Sequence, residues 1–182
     1  MTGNATRDDA MEWGDALYGL LRRNDVTQFA FVPDTGLKVL ISRCLTDPDI
    51  RSISLTTEEE GVALLAGADL GGARGVLLMQ SSGVGNCVNM LSLTRGAHFP
   101  LLMIVSMRGD FGEANAWQYA MGQAVQPVLQ AMGVICLRIE SPEEVVSITS
   151  AALAMAFKAG QAVAILLGQK LLGAKQYLAG TS

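Results

Sequence analysis

Histidine and cysteine are scarce in this sequence, which holds one histidine and three cysteines in 182 residues. Cys44, Cys87 and Cys136 are odd in number and far apart, so they predict reduced thiols in a core rather than a disulfide framework. A single histidine and no Cys-x-x-Cys pair argue against a metal site within this chain. His98 precedes a predicted strand, at the end opposite the expected ligand edge, so a Ser–His or Cys–His relay is not expected.

Charge is scarce as well, because charged residues make up 16% of the chain and the net charge is −4. No basic patch with interleaved aromatics is present, so we expect no nucleic-acid partner. No apolar run approaches the roughly 18–20 residues of a membrane helix, and residues 1–6 lack a signal pattern. The sequence therefore predicts a cytoplasmic protein without a membrane partner. Half of its residues are hydrophobic, which indicates a face covered by another chain, or a sheet buried on both faces.

Short apolar runs alternate along the chain with segments of helical periodicity. The predicted strands lie at residues 29–32, 51–55, 76–79, 101–106, 134–137 and 162–167. The predicted helices lie at residues 11–23, 37–45, 57–72, 85–96, 118–132 and 142–159. This alternation predicts an α/β fold: one doubly wound domain over residues 1–170, with about six parallel strands, helices on both faces, and a tail at 171–182.

Three consecutive glutamates, Glu58, Glu59 and Glu60, open the third predicted helix. Capping explains them in part, because Thr56 or Thr57 can N-cap the helix with Glu59 or Glu60 completing a capping box. Negative charge is also favoured at this end of a helix. Successive helical residues point about 100° apart, however, so one glutamate must turn toward the sheet or a neighbouring subunit. A partly desolvated carboxylate there could donate a proton or a hydrogen bond.

The same helix is rich in small residues, at positions 61, 63, 66, 67, 68, 71 and 72. Glycine carries a cost in helix propensity. We therefore expect close packing of this helix against a second helix.

A glycine turn, Gln80-Ser81-Ser82-Gly83-Val84-Gly85-Asn86, follows the third predicted strand. It is not a P-loop, because the lysine is missing, and it lacks the third glycine of a dinucleotide fingerprint. It is not a nucleophile elbow, because Gln80 stands where that motif has its first glycine. Two interpretations remain: a tight βα turn with hydroxyl caps, or a turn over which a flat ligand lies. Both this turn and the glutamates fall at carboxyl ends of strands, where open α/β sheets bind ligands.

These motifs together resemble the pyrimidine-binding domain of thiamine-diphosphate-dependent 2-oxoacid decarboxylases. The resemblance is strongest to sulfopyruvate decarboxylase α subunits and to the N-terminal half of phosphonopyruvate decarboxylases. It extends from Phe31-Val32-Pro33-Asp34 to about Gly122. The motifs that carry it are Glu58-Glu59-Glu60-Gly61 with Ala66-Gly67, Gln80 to Asn86 with Asn89, and Arg108-Gly109 with Gln118 and Met121-Gly122.

The resemblance implies roles for individual residues. Glu58 would bond N1′ of the cofactor's aminopyrimidine and favour the tautomer that deprotonates the thiazolium ring, with Glu59 and Glu60 left to capping or an interface. Asp34 would assist the protonation that follows loss of CO₂, although an Asx turn or a helix cap also explains it. The remaining residues implied are Ser81, Ser82, Gly83 and Asn86 for the cofactor, and Arg108 and Gln118 for the substrate.

The roles of the two substrate residues need separate comment. Arg108 could face an anionic sulfonate or phosphonate, or it could be an arginine of a surface loop. Gln118 occupies a position where some members of this family carry histidine, so a histidine proton relay is not implied here.

The diphosphate half of the family's site is missing from this sequence. Such enzymes hold the diphosphate through Mg²⁺ with a Gly-Asp-Gly motif and a later asparagine. Here Gly109-Asp110 is followed by Phe111, and no asparagine occurs after Asn115. The resemblance therefore implies a β subunit that supplies the diphosphate domain, thiamine diphosphate with Mg²⁺ bound mainly by that partner, and self-association of the α chain.

The implied function is that of the α subunit of a two-subunit decarboxylase of a short anionic 2-oxoacid. Sulfopyruvate is the first candidate substrate and phosphonopyruvate the second. Two alternatives stay open. One is a carboligase that passes the same intermediate to a second carbonyl, and the other is a non-catalytic partner that regulates a larger enzyme.

Overall fold

Six strands and eight α-helices alternate along the part of the chain that the structure describes. The computed structural model covers the backbone of residues 7–173 and the side chains of residues 12–173. The strands are β1 (Val26–Phe31), β2 (Arg51–Ser54), β3 (Arg74–Gln80), β4 (Leu101–Ser106), β5 (Ile135–Ile139) and β6 (Ala162–Leu167). The helices are α1 (Arg7–Arg23), α2 (Lys38–Thr46), α3 (Glu58–Leu70), α4 (Val84–Cys87), α5 (Ser92–Ala97), α6 (Tyr119–Ala131), α7 (Val145–Phe157) and α8 (Gln169–Leu172). Short 3₁₀ turns lie at Thr35–Leu37, Ser81–Gly83, Ala116–Gln118 and Pro142–Glu144.

The strands form one sheet in the order β2-β1-β3-β4-β6-β5, and every neighbouring pair is parallel. Helices α1, α2 and α7 pack on one face, while α3, α4 and α6 pack on the other. The predicted single α/β domain with six parallel strands and helices on both faces is confirmed. Each face buries its own hydrophobic cluster against the sheet.

Strand β4 is apolar from Leu101 to Val105 because both faces of the sheet are covered at this strand. Leu102 and Ile104 point into the cluster beneath α1, α2 and α7. Met103 and Val105 point into the cluster beneath α3 and α6. Successive side chains of a strand face opposite sides, so a central strand covered by helices on both sides is hydrophobic along most of its length; only Ser106, at its carboxyl end, is polar.

Residues 85–96 do not form the single helix that the sequence predicted. Helix α4 ends at Cys87 and α5 begins at Ser92, and the amides of residues 92–94 bond to carbonyls three positions back rather than four. Asn86, Val88 and Asn89 lie in this segment, and both residue types have low helix propensity. The local pattern of apolar residues fitted a helix, but the backbone takes tighter turns between two short helical pieces.

The three cysteines are unpaired thiols, with Cys44 and Cys87 buried and Cys136 partly buried. Between residues 7 and 173, no three His, Cys, Asp or Glu side chains group so as to hold a metal ion. In the same range no helix has both the length and the apolar character needed to cross a membrane. Leu171, in the predicted tail, is buried in the hydrophobic cluster beneath α1, α2 and α7. Residues 174–182 lie outside the described range.

The carboxyl edge of the sheet positions the candidate site. The chain runs outward from β1 to β2 and then returns to place β3 on the other side of β1, so the connections diverge between β1 and β3. Such switch points are where open α/β sheets form ligand crevices. Asp34 follows β1 there, and the turn Ser81–Gly83 follows β3. His98 precedes β4 and so lies at the opposite, amino edge, as predicted.

Candidate active site

Glu58 is buried at the first turn of α3, with 7% of its surface exposed. Its Oε2 atom accepts a 2.7 Å hydrogen bond from Asn86 Nδ2. Gly83 packs directly on the same carboxylate, since a Cβ atom on Gly83 would lie 2.3 Å from Glu58 Oε1. Among the described residues, no hydrogen bond is directed to Oε1. Glu58 thus offers one oxygen fixed by Asn86 and one oxygen beside a glycine turn.

The three glutamates have separate environments, as their helical spacing required. Thr57 is the N-cap residue of α3, but its side chain makes no capping hydrogen bond. The predicted capping box does not form, because Glu60 Oε2 accepts a 2.9 Å bond from the amide of Thr56, one residue before the N-cap. Glu59 is partly buried, and its Oε2 has no partner among the described residues. Of the three, Glu58 is the one whose residue is buried as a whole.

Asp34 joins the ends of three strands. Its Oδ2 atom accepts hydrogen bonds from the amide of Gly36 at 2.8 Å and from Ser106 Oγ at 2.7 Å. Its Oδ1 atom accepts from Gln80 Nε2 at 3.0 Å. Asp34 therefore does cap the turn after β1, which was one interpretation of its sequence position. The same carboxylate also ties the carboxyl ends of β3 and β4 to that turn.

Gln80 connects the two acidic centres. While its Nε2 donates to Asp34, its Oε1 accepts a 2.9 Å bond from Ser82 Oγ. Ser82 is exposed in the same turn whose Gly83 contacts Glu58. One short turn thus lies between the two carboxylates and exposes a hydroxyl beside them.

Ser81 is fully buried and ties this turn to the end of β4, because its Oγ accepts a 3.1 Å bond from the amide of Arg108. The Arg108 guanidinium forms a two-point ion pair with Glu113, at 2.5 and 2.8 Å. An anionic substrate would have to share this cation with Glu113. Arg108 also borders a cleft of about 130 Å³ together with Asp34 and Ser106.

Glu113 is a central polar residue that sequence reasoning missed. Its side chain is 1% exposed, and it also accepts bonds from the amide of Asn115 and from Gln169 Nε2, both at 3.0 Å. The hydrogen bonds from Arg108, foremost, with those from Asn115 and Gln169, lower the pKa of Glu113 to about 2. No local sequence pattern announces this group, because its partners lie 5 and 56 positions away.

Gln118 lies close to the other residues through its backbone. A Cβ on Gly109, whose φ is +73°, would lie 2.2 Å from the carbonyl oxygen of Gln118. The Gln118 side chain is partly buried and makes no hydrogen bond to another described residue. Every predicted site residue therefore lies at one edge, in two linked groups. The first group contains Glu58, Asn86 and Gly83. The second group contains Asp34, Ser81, Ser82, Arg108 and Gln118.

Cys87 lies close to this edge but is not suited to nucleophilic chemistry. Burial, foremost, and the negative charges of Glu58 and Glu59 raise the pKa of its thiol to about 12. The thiolate is the reactive form of cysteine. The thiol instead lies 4.0 Å from the sulfur of Met79, inside the hydrophobic cluster.

Comparison with protein-family models gives a direct assignment. Residues 11–134 match the family described as thiamine pyrophosphate enzyme, N-terminal TPP binding domain. This chain belongs to that family. The predicted cofactor class, thiamine diphosphate, agrees with the family's description.

This chain is also similar to decarboxylase subunits of similar length. The sulfopyruvate decarboxylase subunit alpha of Methanococcus maripaludis is 34% identical over 158 residues, which is 86% of this chain and 95% of that protein. The corresponding subunit of Methanocaldococcus jannaschii is 33% identical over 152 residues, covering 83% and 90%. The phosphonopyruvate decarboxylase of Streptomyces viridochromogenes is 42% identical over 95 residues, but these span only 24% of that protein.

Solved structures support the fold of this family member. The 2-oxoglutarate:ferredoxin oxidoreductase from Magnetococcus marinus superposes with a TM-score of 0.71 and 18% identity. The superposition covers 88% of this chain and 29% of that one. At this level of identity the likeness concerns the architecture alone.

Proposed function

We propose that this chain is the α subunit of a two-subunit, thiamine-diphosphate-dependent decarboxylase, acting in the cytoplasm on a short anionic 2-oxoacid. The observation that carries the proposal is the buried Glu58, held by Asn86 and packed on Gly83 at the switch-point edge. Relatives named as sulfopyruvate decarboxylase α subunits match nearly their whole length. The unpaired thiols are in keeping with a reducing compartment.

The residues at this edge fit an aminopyrimidine ring. Glu58 Oε1 has no hydrogen bond from a described residue, so it can bond a ring nitrogen. Gly83 is buried, and its missing side chain leaves the space that the Glu58 carboxylate occupies. Ser82 and Asn86 add a hydroxyl and an amide beside it. When bound, thiamine diphosphate supplies the carbon nucleophile and the electron sink of decarboxylation.

The chain's own side chains would then divide the work. Glu58 holds a proton at its hydrogen bond to the pyrimidine N1′, and Asn86 fixes the orientation of that carboxylate. Asp34 delivers the proton that takes the place of CO₂ on the substrate carbon. The 2-oxoacid carboxylate anion and one proton together give the aldehyde and CO₂. Gln80 and Ser106 orient the carboxylate of Asp34 through their bonds of 3.0 and 2.7 Å.

The diphosphate and Mg²⁺ are proposed to bind a β subunit. The sequence contains no Gly-Asp-Gly, which leaves the diphosphate without its usual site in this chain. The cleft between Asp34, Ser106 and Arg108, about 130 Å³, is smaller than the roughly 300 Å³ at which ligand pockets begin. A second chain that closes over this edge would complete it. Self-association of the α chain is proposed as well, because α3 leaves Ala63 and Gly67 exposed.

Sulfopyruvate is proposed as the substrate and phosphonopyruvate as the second candidate. The identity of 42% to a phosphonopyruvate decarboxylase over 95 residues keeps the second acid in view. Arg108 and Gln118 are proposed to face the substrate's anionic group, with Arg108 held in place by Glu113. Comparing kcat/KM for both acids with the reconstituted enzyme decides between them.

The test is to combine this chain with a β chain from the same genome, recognised by Gly-Asp-Gly and a later asparagine, and to measure CO₂ release. Glu58→Gln should lower kcat/KM by about 10²–10⁴-fold, the range expected when a proton-handling group is removed. Glu60→Gln is the matched control, because Glu60 is exposed and bonds only the amide of Thr56. Full activity in the Glu58→Gln complex would refute the assignment.

A further inference from the structure

The loop that leaves β4, residues 108–119, exposes three aromatic side chains next to the candidate site. We call it the aromatic loop. Phe111 is 48% exposed, Tyr119 is 44% exposed and Trp117 is 87% exposed. An aromatic side chain covers about 150–250 Å² when it is buried. Trp117 therefore presents a large apolar surface that nothing in the described part of the chain covers.

The aromatic loop is exposed although it is firmly held. Glu113 pairs with Arg108 and accepts bonds from Asn115 and Gln169. Gln169 Oε1 in turn accepts from the amides of Asp110 and Phe111, at 3.0 and 3.1 Å. These bonds fix the middle of the loop to α8 and to the end of β4.

The tip of the loop is fixed too. Asn115 Oδ1 accepts a 3.1 Å bond from the amide of Trp117, which starts the 3₁₀ turn Ala116–Gln118. The Tyr119 hydroxyl donates a 2.6 Å bond to the carbonyl of Glu113. These bonds fix the backbone that carries Trp117, and a backbone that is ordered in advance loses less entropy when a partner binds it.

The aromatic loop also adjoins the turn that we assign to the cofactor. The amide of Arg108 bonds Ser81 Oγ in that turn. The backbone of Gly109 lies against Gln118, so the two ends of the loop meet beside the same edge. The aromatic loop and the Ser81–Gly83 turn are therefore neighbours, and a chain that covers a ligand at the turn can also contact the loop.

We propose that Trp117 anchors the partner subunit that supplies the diphosphate domain. The inference rests on the proposed function, because it takes from it the need for a second chain at this edge. Trp117 enters an apolar recess of the partner, and the braced loop keeps the tryptophan in position before the chains meet. Two other strongly exposed leucines do not meet this description. Leu45 and Leu70 lie at the ends of α2 and α3, which point to the amino edge of the sheet.

The first experiment measures the affinity between the full chain and the β chain defined above, by biolayer interferometry. Trp117→Ala should raise the Kd for the β chain about 30-fold or more, which is the loss of affinity typical of a hot spot. Trp117→Phe should give a smaller loss, because part of the apolar surface remains. Leu45→Ala is the matched control and should leave the Kd unchanged, since Leu45 is 61% exposed but remote. Circular dichroism of each variant alone verifies the fold.

A second readout reports on the tryptophan itself. The chain contains two tryptophans, Trp13 and Trp117, and Trp13 is buried while Trp117 is exposed. With 5-fluorotryptophan in this chain only, ¹⁹F NMR should show the Trp117 resonance shift and lose its solvent isotope effect when the β chain is added. The Trp13 resonance should stay in place.

The outcomes separate this inference from the proposed function. If Trp117→Ala binds the β chain as tightly as wild type, the inference is wrong even when the complex releases CO₂. If Trp117→Ala only breaks self-association in sedimentation experiments, the occupant is a second copy and the inference is equally wrong. If Trp117→Ala weakens the complex but regains the wild-type kcat at saturating β chain, the inference holds. A tight wild-type complex without CO₂ release would refute the proposed function and leave the interface standing.

Discussion

Asp34 shows how one carboxylate can be both structural and chemical. Its two oxygens accept three hydrogen bonds, from Gly36, Ser106 and Gln80. The bond to Gly36 belongs to the local turn. The other two come from separate strands, and they decide which way the carboxylate faces at the sheet edge.

Replacing Gln80 by Leu should therefore impair catalysis more than folding. The substitution removes the donor to Asp34 Oδ1 and the acceptor of Ser82 Oγ. We expect kcat of the reconstituted enzyme to fall about tenfold, the effect of losing a hydrogen bond worth about 1.4 kcal/mol, with KM little changed. Gln161→Leu, which removes only an exposed bond to Ala159, is the control. An unchanged kcat in Gln80→Leu would show that Asp34 needs no such positioning.

Glu113 should make the chain acid-sensitive in a defined way. Its pKa is lowered from 4.5 to about 2 by its hydrogen bonds in the folded state. The ionised form is thus stabilised by folding, and that contribution is complete above pH 4.5 and disappears as the pH falls toward 2. Glu113→Gln should cost about 3 kcal/mol at neutral pH, because Arg108 loses its buried partner.

The measurement is urea unfolding of wild type and Glu113→Gln at a series of pH values. The difference in the free energy of unfolding should be constant near neutrality and should shrink below pH 4.5. A difference that does not vary with pH would mean that the Glu113 carboxylate contributes nothing through its charge.

At the scale of elements, the 3₁₀ turn after β3 and the start of α3 form one unit. Gly83 has ordinary helical dihedral angles, with φ of −70°, so its lack of a side chain matters for space and not for backbone conformation. A Cβ there would lie within 2.5 Å of three atoms of the Glu58 side chain. Gly85, two positions on, would place its Cβ 3.4 Å from Met121 Sδ, an ordinary contact.

Gly83→Ala should displace the Glu58 carboxylate without unfolding the chain. The atoms that it meets belong to a buried side chain and include its Cγ, so the cost in stability should be about 1–3 kcal/mol, the range for overpacked sites. Activity of the reconstituted enzyme should nevertheless fall at least about tenfold. Gly85→Ala is the control and should retain both stability and activity. Wild-type activity in Gly83→Ala would argue that Glu58 need not pack on this turn.

The sequence predicted the elements that local hydrophobic patterns determine, and it missed those that depend on contacts between distant residues. Strands β4 and β6 were predicted at both ends, because each is a continuous apolar run set by burial on both faces. The break between α4 and α5 was not predicted, since the apolar spacing of residues 84, 87 and 91 also suits one helix. The sequence analysis explained all the small residues of α3 by close packing against a second helix, but the structure gives them different surroundings. Gly61 packs within the chain on Leu77, while a Cβ on Gly67 would meet nothing.

The candidate site was predictable where residues lie in motifs, and not where they pair across the chain. Glu58, Asp34 and the Ser81–Gly83 turn each stand at a strand end that periodicity locates. Ser106 meets Asp34 across 72 positions, and Gln169 meets Glu113 across 56. Such pairs follow from strand order, which local patterns do not contain. Ser106 did carry one signal, as the single polar residue closing an otherwise apolar strand.

At the scale of the whole molecule, the chain has the features of half a site. It carries a buried glutamate, a glycine turn and an acidic network at one edge of its sheet. It has no Gly-Asp-Gly in its sequence. It belongs to the thiamine-pyrophosphate family and matches proteins named as α subunits almost end to end. These features together support a cofactor shared between two kinds of chain.

Calorimetric titration of thiamine diphosphate with Mg²⁺ tests that claim most directly. The cofactor should bind the complex of this chain with its β chain, and it should not bind this chain alone. In the Glu58→Gln complex the affinity should fall, because the bond to the pyrimidine is weakened, while the chains still associate. Absence of binding by the wild-type complex, or equally tight binding by this chain alone, would contradict the account.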